Sequence, residues 1–326
     1  MKITYCIATY RRPEKLRNTL LSILQQDDAA VDVVVGDNDP QGSAESVVAA
    51  LASTKVGYHR NAQNLGMVGN FNSALARATG DYVVMITDDD PVTLDHAQTL
   101  RALASCFPGQ GAYFCLGQSF TEKPDLARHY RIAVGRAMRP MSLSARQYGA
   151  RGFVLAFLRG QIPGYMLWSC GMVRRDIAQR VTMPDYGTPY LTDFAYIALA
   201  AGDEGVVIQD KIIGWQEIHA DNFGRKELAE ISTAVNGFRG LMHRRWPGDH
   251  EISRASERFL ARWVGGHFGF MLRYGDGASI KLATAVQYAR LMNQERLHSG
   301  VGAFAVSVLP LPVYRALRTA KRSLRG

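Results

Sequence analysis

"GDYVVMITDDDP", Gly80 to Pro91, sets a hydrophobic run against three consecutive carboxylates. Val83, Val84, Met85 and Ile86 read as a buried strand, and Pro91 stops it after Asp88, Asp89 and Asp90. Like charges repel, and desolvating a carboxylate is costly unless it is paired or bound to a metal. The triplet therefore reads as a site. The competing reading is an acidic turn at the N-terminus of a helix that begins near Thr93.

Upstream of this stretch the chain alternates cleanly. "ITYCIA" predicts a strand, and Pro13 opens a helix with Leu16, Leu20, Ile23 and Leu24 at helical spacing. "VDVVVG" predicts a second strand, "AESVVAALAS" a helix, "VGYHRN" a third strand and "GMVGNFNSALARA" a helix. Continuous apolar strands alternating with helices argue for a mostly parallel central sheet flanked by helices, an α/β (Rossmann-like) fold. Such sheets bind ligands at the carboxyl ends of their strands. Those ends carry Thr9, Tyr10, Arg11 and Arg12; then Asp37, Asn38 and Asp39; then Arg60, Asn64 and Gly66; then the aspartates.

Beyond Pro108 "AYFCLG" predicts a strand, "YMLWSCGMVRR" a strand and turn, "YLTDFAYIALAAG" a short helix, and "GVVIQD" and "KIIGWQEIH" two further strands. After Asp221 the chain reads as helical. The expected organisation is residues 1–222 as one domain, in two halves, 1–107 and 108–222, followed by a helical region 223–326 with a basic tail.

The 326 residues are 47% hydrophobic and 21% charged, an ordinary globular composition. Cys6, Cys106, Cys115 and Cys170 have no CxxC spacing and read as free thiols of a reducing compartment. "MKITYCIATY" reads as a strand rather than a signal peptide, and no apolar run reaches ~20 residues. The expectation is a cytoplasmic protein. The net charge of +9 suggests an anionic partner. Arg315, Arg318, Lys321, Arg322 and Arg325, interleaved with Leu317 and Leu324, form a basic amphipathic segment suited to an anionic membrane surface. An ordinary solvated terminal helix is the alternative. No zinc, RNA-recognition or helix-turn-helix signature accompanies the charge, so no specific nucleic-acid partner is expected.

"IATYRRPEKLRNTLLSILQQ", "VVVGDNDPQG" and "RNAQNLGMVGNFNSALARATGDYVVMITDDD", in that order, followed by "TDFAY" and "IHADN", resemble the family 2 glycosyltransferases over roughly Met1 to Asn222. The resemblance implies a GT-A fold, a nucleotide-sugar donor, Mg²⁺ or Mn²⁺, inverting transfer to a glycan or lipid-linked glycan, and a role in surface polysaccharide or lipopolysaccharide synthesis. Two departures stand out: Gly36 precedes Asp37, and Thr192 precedes Asp193, where the family usually carries an acid.

Residue by residue, the resemblance sets Asp88 or Asp89 on the ribose side and Asp90 or Asp89 on the metal. His219 would reach the metal or the diphosphate, although a lone histidine is more often structural. Asp193 would be the general base for the acceptor hydroxyl, with helix capping the compatible bland reading. Asp37 is placed to accept from base or ribose, or to form an Asx turn in "GDNDPQG". Thr9 offers contacts to the base or caps a turn, and Tyr10 and Arg12 share its strand end. Arg60 suits a pyrophosphate, Asn64 the nucleotide or local backbone, and Gly66 a close backbone approach; a solvated loop is the alternative. On the acceptor side, Trp168 offers an aromatic face to a sugar, or core packing, and Arg174 a partner for an acidic group. Three rivals remain. A nucleotidyltransferase would carry a glycine-rich loop where this chain has "TYRRPEK". A nucleic-acid binder would rest on charge alone. A catalytically silent sugar-nucleotide binder is kept open by the two departures.

Overall fold

The computed structural model describes residues 1–26, 28–124, 133–134, 136, 144–162, 168–218, 230–274, 278–297 and 300–301. The chain divides into two compact units. One comprises residues 1–128, 132–157 and 161–225, and the other 129–131, 158–160 and 226–326.

The first unit is built on one sheet. β1 (Ile3–Thr9) is buried along its whole length, and α1 (Pro13–Leu24) follows with proline in its first turn and Leu16, Leu20 and Ile23 turned inward. β2 (Val31–Asp37), α2 (Glu45–Ala50), β3 (Val56–Arg60), α3 (Gly66–Leu75) and β4 (Tyr82–Thr87) continue the alternation. β1 lies between β2 and β4, parallel to both, and β3 flanks β2. The registers pair Thr9 with Asp37, Asp37 with Arg60, and Ala8 with Thr87. Four carboxyl ends therefore stop at one level, and the residues after them are neighbours in space. Tyr5, Ile7, Val84 and Ile86, from the two central strands, are fully buried in the core.

After α4 (His96–Cys106) the sheet continues through β5 (Ala112–Thr121), β6 (Ala133–Val134), β7 (Ala145–Tyr148), α5 (Ala150–Leu158), β8 (Gly171–Arg174), α6 (Arg175–Val181), α7 (Thr192–Glu204) and β9 (Val206–Glu217). The strand order is β3-β2-β1-β4-β8-β5-β9-β7, with β6 on β5. β8 is antiparallel between β4 and β5, while β9 runs parallel to β5, so one sheet crosses residue 107 without a break.

Two local expectations are corrected. "GVVIQD" and "KIIGWQEIH" form one strand, because register shifts opposite Phe114 to Gly117 let the polar Gln209–Lys211 segment bulge out of the ladder without ending it. In "YMLWSCGMVRR", Trp168–Cys170 is a 3₁₀ turn ahead of β8, and Arg175 already starts α6.

Among its described residues the second unit is helical: α8 (Ile231–Arg245), α9 (His250–Tyr274) and α10 (Ala278–Gln294). α8 buries Ile231, Ala234, Val235, Phe238 and Met242, one face of a helix, and Phe238 stacks on Phe259 of α9. Arg239 bridges Glu257 and Glu295. No helix among the described residues is long and apolar enough to cross a membrane. The basic segment after Pro312 lies outside the described residues.

Gly171 sits opposite Phe114 in the β5–β8 pair, and a Cβ there would lie 2.0 Å from the Phe114 ring. The ring is fully buried and has no room to give way. Gly171→Ala is expected to destabilise the protein by about 1–3 kcal/mol through overpacking, read as a lower urea midpoint at unchanged slope.

Candidate active site

The aspartate triplet follows β4, and all three side chains are buried. Its nearest counter-charge comes from the β1–α1 connection. Arg12 donates through Nε to Asp88 Oδ2 (3.2 Å) and through Nη1 to Asp89 Oδ2 (2.8 Å), and its Nη2 pairs with Asp88 Oδ1. Thr9 Oγ1 donates to Asp88 Oδ2 at 2.7 Å. From α1, Thr19 Oγ1 donates to the Asp88 carbonyl and Ser22 Oγ accepts from Val92 N. Beyond Pro91 the chain crosses onto β9, with Thr93 N bonded to Ile213 O and Trp215 N to Pro91 O. The triplet is therefore held from both sides by strand and helix, as a site on a rigid platform requires.

Three environments result. Burial pushes the Asp88 carboxyl up to about 7, against the pull of Arg12 and the Thr9 hydroxyl. Asp90 goes well above the usual carboxylate range through burial and then the charge of Asp89, while the hydroxyls of Thr87 and Ser169 oppose the rise. Asp89 keeps its ion pair to Arg12. Beneath Asp90 the 3₁₀ turn is anchored by a buried relay. His96 Nε2 donates to the Ser169 carbonyl (2.9 Å), so its Nδ1 accepts from Tyr5 Oη (2.7 Å). Burial pushes the His96 imidazole down to about 4, which keeps it neutral.

The ends of β2 and β3 are joined by amides. Asn70, from α3, donates to the carbonyls of Thr9 (3.2 Å) and Gly36 (2.9 Å) and accepts from Asn61 (2.8 Å). Asn38 donates to Asn64 Oδ1 (2.7 Å) and accepts from Leu65 N (2.8 Å) and Asn61 (3.2 Å). This explains the glycine where the family usually has an acid: a Cβ on residue 36 would lie 2.6 Å from Asn70 Oδ1. Asn61 and Asn70 escape sequence reading because an asparagine beside a strand end reads first as a turn residue.

Asp37 is built into a turn. Its carboxylate is fully buried and accepts from Asp39 N (3.0 Å), Ala44 N (2.9 Å) and Tyr58 Oη (2.8 Å). It closes the turn beneath the rim. Asn64 and Gly66 stand exposed at the start of α3, where Gly66 has φ 71°, the left-handed region a side chain would resist. Arg60 is exposed and lies 3.9 Å from the exposed Glu45. Tyr10 is exposed, with the Arg11 guanidinium 5.0 Å over its ring. Lys15 of α1 pairs with Glu217 at the end of β9, extending the rim beyond the four strands that the sequence indicates.

Arg174 lies apart from the aspartates. It pairs in register with Tyr82, at the amino end of β4, and is clamped by Asp176 and Glu204. Strand β8 runs antiparallel, so its last residue lies at the edge of the sheet opposite the aspartates. Trp168 is half-buried, its ring 4.6 Å from that of Phe71 on α3. His219 lies outside the described residues.

Asp193 stands in the first turn of α7, shortly after Leu191 at φ 65°, a strained conformation for a branched side chain. Its Oδ1 accepts from Phe194 N (2.8 Å). Burial pushes this carboxyl up to about 6, against the backbone N–H groups beside it. The loop before it is fixed to α3 by a two-point bond, Asn72 Nδ2 to Met183 O (2.9 Å) and Met183 N to Asn72 Oδ1 (2.8 Å).

The residues present fit a hard divalent cation. Asp88 Oδ1 is buried, and Arg12 pairs with it without a well-formed hydrogen bond; Asp90 is raised first by burial and then by the carboxylate of Asp89, with the hydroxyls of Thr87 and Ser169 beside it. Among the described residues no three His, Cys, Asp or Glu side chains form a metal cage by themselves.

The family model described as Glycosyl transferase family 2 matches residues 4–182. Abequosyltransferase RfbV of Salmonella typhimurium is 30% identical over 106 residues, 31% of this chain and 32% of that protein. The GalNAc(5)-diNAcBac-PP-undecaprenol beta-1,3-glucosyltransferase of Campylobacter jejuni is 29% identical over 126 residues, 37% and 39% respectively. The matches thus span between 32% and 39% of these relatives' length. Among solved structures, S. aureus TarS 1–349 in complex with UDP-GlcNAc matches with a TM-score of 0.61 at 13% identity, over 98% of this chain and 92% of that one. The mannosyltransferase PcManGT from Pyrobaculum calidifontis, in complex with GDP-Man and Mn²⁺, matches with a TM-score of 0.52 at 16% identity, over 94% and 86%. At these identities the likeness is one of fold, and it agrees with the GT-A architecture expected of the sequence.

The amide network generates a prediction. Asn70→Ala leaves the buried Thr9 and Gly36 carbonyls each short of a donor. It is expected to cost roughly 1–3 kcal/mol, measured as a lower denaturant midpoint.

Proposed function

As the chain belongs to glycosyl transferase family 2, we propose that it moves a sugar from a nucleoside-diphosphate sugar to a hydroxyl of a glycan or lipid-linked glycan, with inversion at the anomeric carbon. The observation that carries the reading is the pairing of a buried, cation-bridged aspartate triplet on the sheet rim with a separate carboxyl, Asp193, tuned to about 6. A general base works best when its pKa lies near the working pH, and Asp193 meets that condition.

In this reading the donor lies along the carboxyl ends of β1 to β4. Thr9 and Tyr10 flank the base, Asp88 or Asp89 faces the ribose, and Asn64, Gly66 and Arg60 line the approach at the β3–α3 turn. A divalent cation, Mg²⁺ or Mn²⁺, would be held by Asp90 and Asp89, with His219 a further candidate, and would neutralise charge on the departing diphosphate. Asp193 takes the proton of the acceptor hydroxyl as its oxygen attacks the anomeric carbon, and the bond to the diphosphate breaks on the opposite face. Trp168 offers the acceptor a ring edge beside α3. The names of the similar proteins support this donor and acceptor class: UDP-GlcNAc and GDP-Man on the donor side, a diphospho-undecaprenol-linked glycan on the acceptor side.

Charge distribution supports action at a membrane face. Residues 223–326 hold 17 Lys and Arg against 7 Asp and Glu, whereas residues 1–222 hold 21 against 22. A lipid-linked acceptor in an anionic leaflet would meet the basic part of the chain. We place the protein at the cytoplasmic side of that membrane, in surface polysaccharide synthesis.

The test is a pH profile. The base must be ionised to act, so kcat/KM should be flat above its pKa and fall tenfold per pH unit below about 6. Asp193→Asn should lower kcat by roughly 10²–10⁴-fold while the thermal shift given by the donor is retained. Near-normal turnover in that variant would remove Asp193 from the mechanism.

A further inference from the structure

Among the described residues, the most heavily bonded cation on the rim is Arg12. Its guanidinium spans two carboxylates through Nε, Nη1 and Nη2, from a backbone fixed by β1 on one side and by Pro13 and the first bond of α1, Leu16 N to Arg12 O (3.1 Å), on the other. Its side chain is 30% exposed, while Asp88 and Asp89 are 0% and 9% exposed. The guanidinium is therefore reachable from the rim, and the carboxylates lie beneath it.

From this geometry we propose that Arg12 is a resident counter-ion that holds Asp89 and offsets the charge of Asp88, keeping a divalent cation off the triplet until a diphosphate draws the guanidinium away. The inference rests on the donor reading above and adds an order of events to it. Two constraints lead there. First, the acidic oxygens are already engaged: Arg12 meets both oxygens of Asp88, Thr9 also donates to Oδ2, and Arg12 holds Asp89 Oδ2. A hard cation arriving alone must break these bonds and work against one fixed positive charge. Second, guanidinium recognises carboxylate and phosphate with the same fork of donors. A diphosphate at the β1–α1 turn offers Arg12 an equivalent partner, so phosphate oxygens take over the hydrogen bonds that the aspartates give up. Metal and diphosphate then bind with positive coupling, carried by one side chain that both compete for in opposite senses. Lys15, the other rim cation contributed by α1, pairs with Glu217 and touches neither aspartate in this way.

The experiment is calorimetric titration of Mn²⁺ into the full chain. It is run alone and then with whichever of uridine, guanosine, thymidine or cytidine diphosphate binds, for wild type, Arg12→Gln, Arg12→Lys and Lys15→Gln. Circular dichroism verifies that each variant is folded. Wild type is expected to bind Mn²⁺ at least about fivefold more tightly with the nucleotide than without it. Arg12→Gln should bind Mn²⁺ alone about tenfold more tightly than wild type and lose most of the coupling. Arg12→Lys, which keeps the charge without the fork, should fall between, and it carries the test if Arg12→Gln does not fold. Unchanged or weaker Mn²⁺ binding in the Arg12 variants overturns the inference. So does an equal gain in Lys15→Gln, which would make the effect one of net charge alone. Mn²⁺ and nucleotide that both bind wild type without coupling overturn the counter-ion role and leave the donor reading standing. No nucleotide binding to wild type overturns both.

Discussion

Ala8 and Thr87 lie side by side in the parallel ladder of β1 and β4, and everything on the rim depends on that register. It sets Thr9 against Asp88 and starts the next turn of chain above the carboxylates. Three buried acids in sequence cannot persist without compensation, so the β1–α1 connection is shaped around supplying it. Arg11 adopts φ 54°, Arg12 reaches across, Pro13 begins the helix, and Thr19 and Ser22 come back later in α1 to hold the backbone of the triplet. The electrostatic demand of β4 is met by the backbone geometry of a segment far earlier in the chain.

The other half of the rim is governed by neutral hydrogen bonding. Asn38, Asn61, Asn64 and Asn70 tie the ends of β1, β2 and β3 together without any net charge. Each amide can both donate and accept, so a few side chains saturate strand-end carbonyls that would otherwise face a buried environment unpaired. α3 carries this network at Asn70, and two residues later Asn72 grips Met183 on the loop that leads to Asp193. One helix thus positions both the neutral side of the rim and the approach to Asp193.

The strand–helix alternation and the four polar strand ends are legible in the sequence because period, Pro13 and the apolar runs all act locally. What is not legible depends on partners far away in the chain. Asp37 and Asp39 are equivalent on paper, and only the bonds from Ala44 and Tyr58 show that Asp37 holds the turn together. Arg174 looks available because its partner Glu204 is 30 residues away and because nothing in "GMVRR" reveals that its strand runs antiparallel to β4. The bulge in β9 hides for a similar reason: "QDK" reads as a turn until a neighbouring strand absorbs it. Asn70 is invisible as a bridging residue until Gly36 comes close enough to explain its missing side chain.

Asp88 and Asp193 show how one residue type is given two tasks. Asp88 is fully buried and Asp193 half-buried, and desolvation raises both. Asp88 lies under a guanidinium and a hydroxyl, so its oxygens are committed and its role is to hold charge in place. Asp193 meets backbone N–H groups, and burial brings it to about 6, so its proton can come and go. A cation beside Asp193 would lower its affinity for a proton and weaken it as a base. Removing the cation from Asp88 would leave that buried acid without its guanidinium. The separation of roles follows from where the chain places its positive charge, and on this rim Arg12 is committed to the triplet.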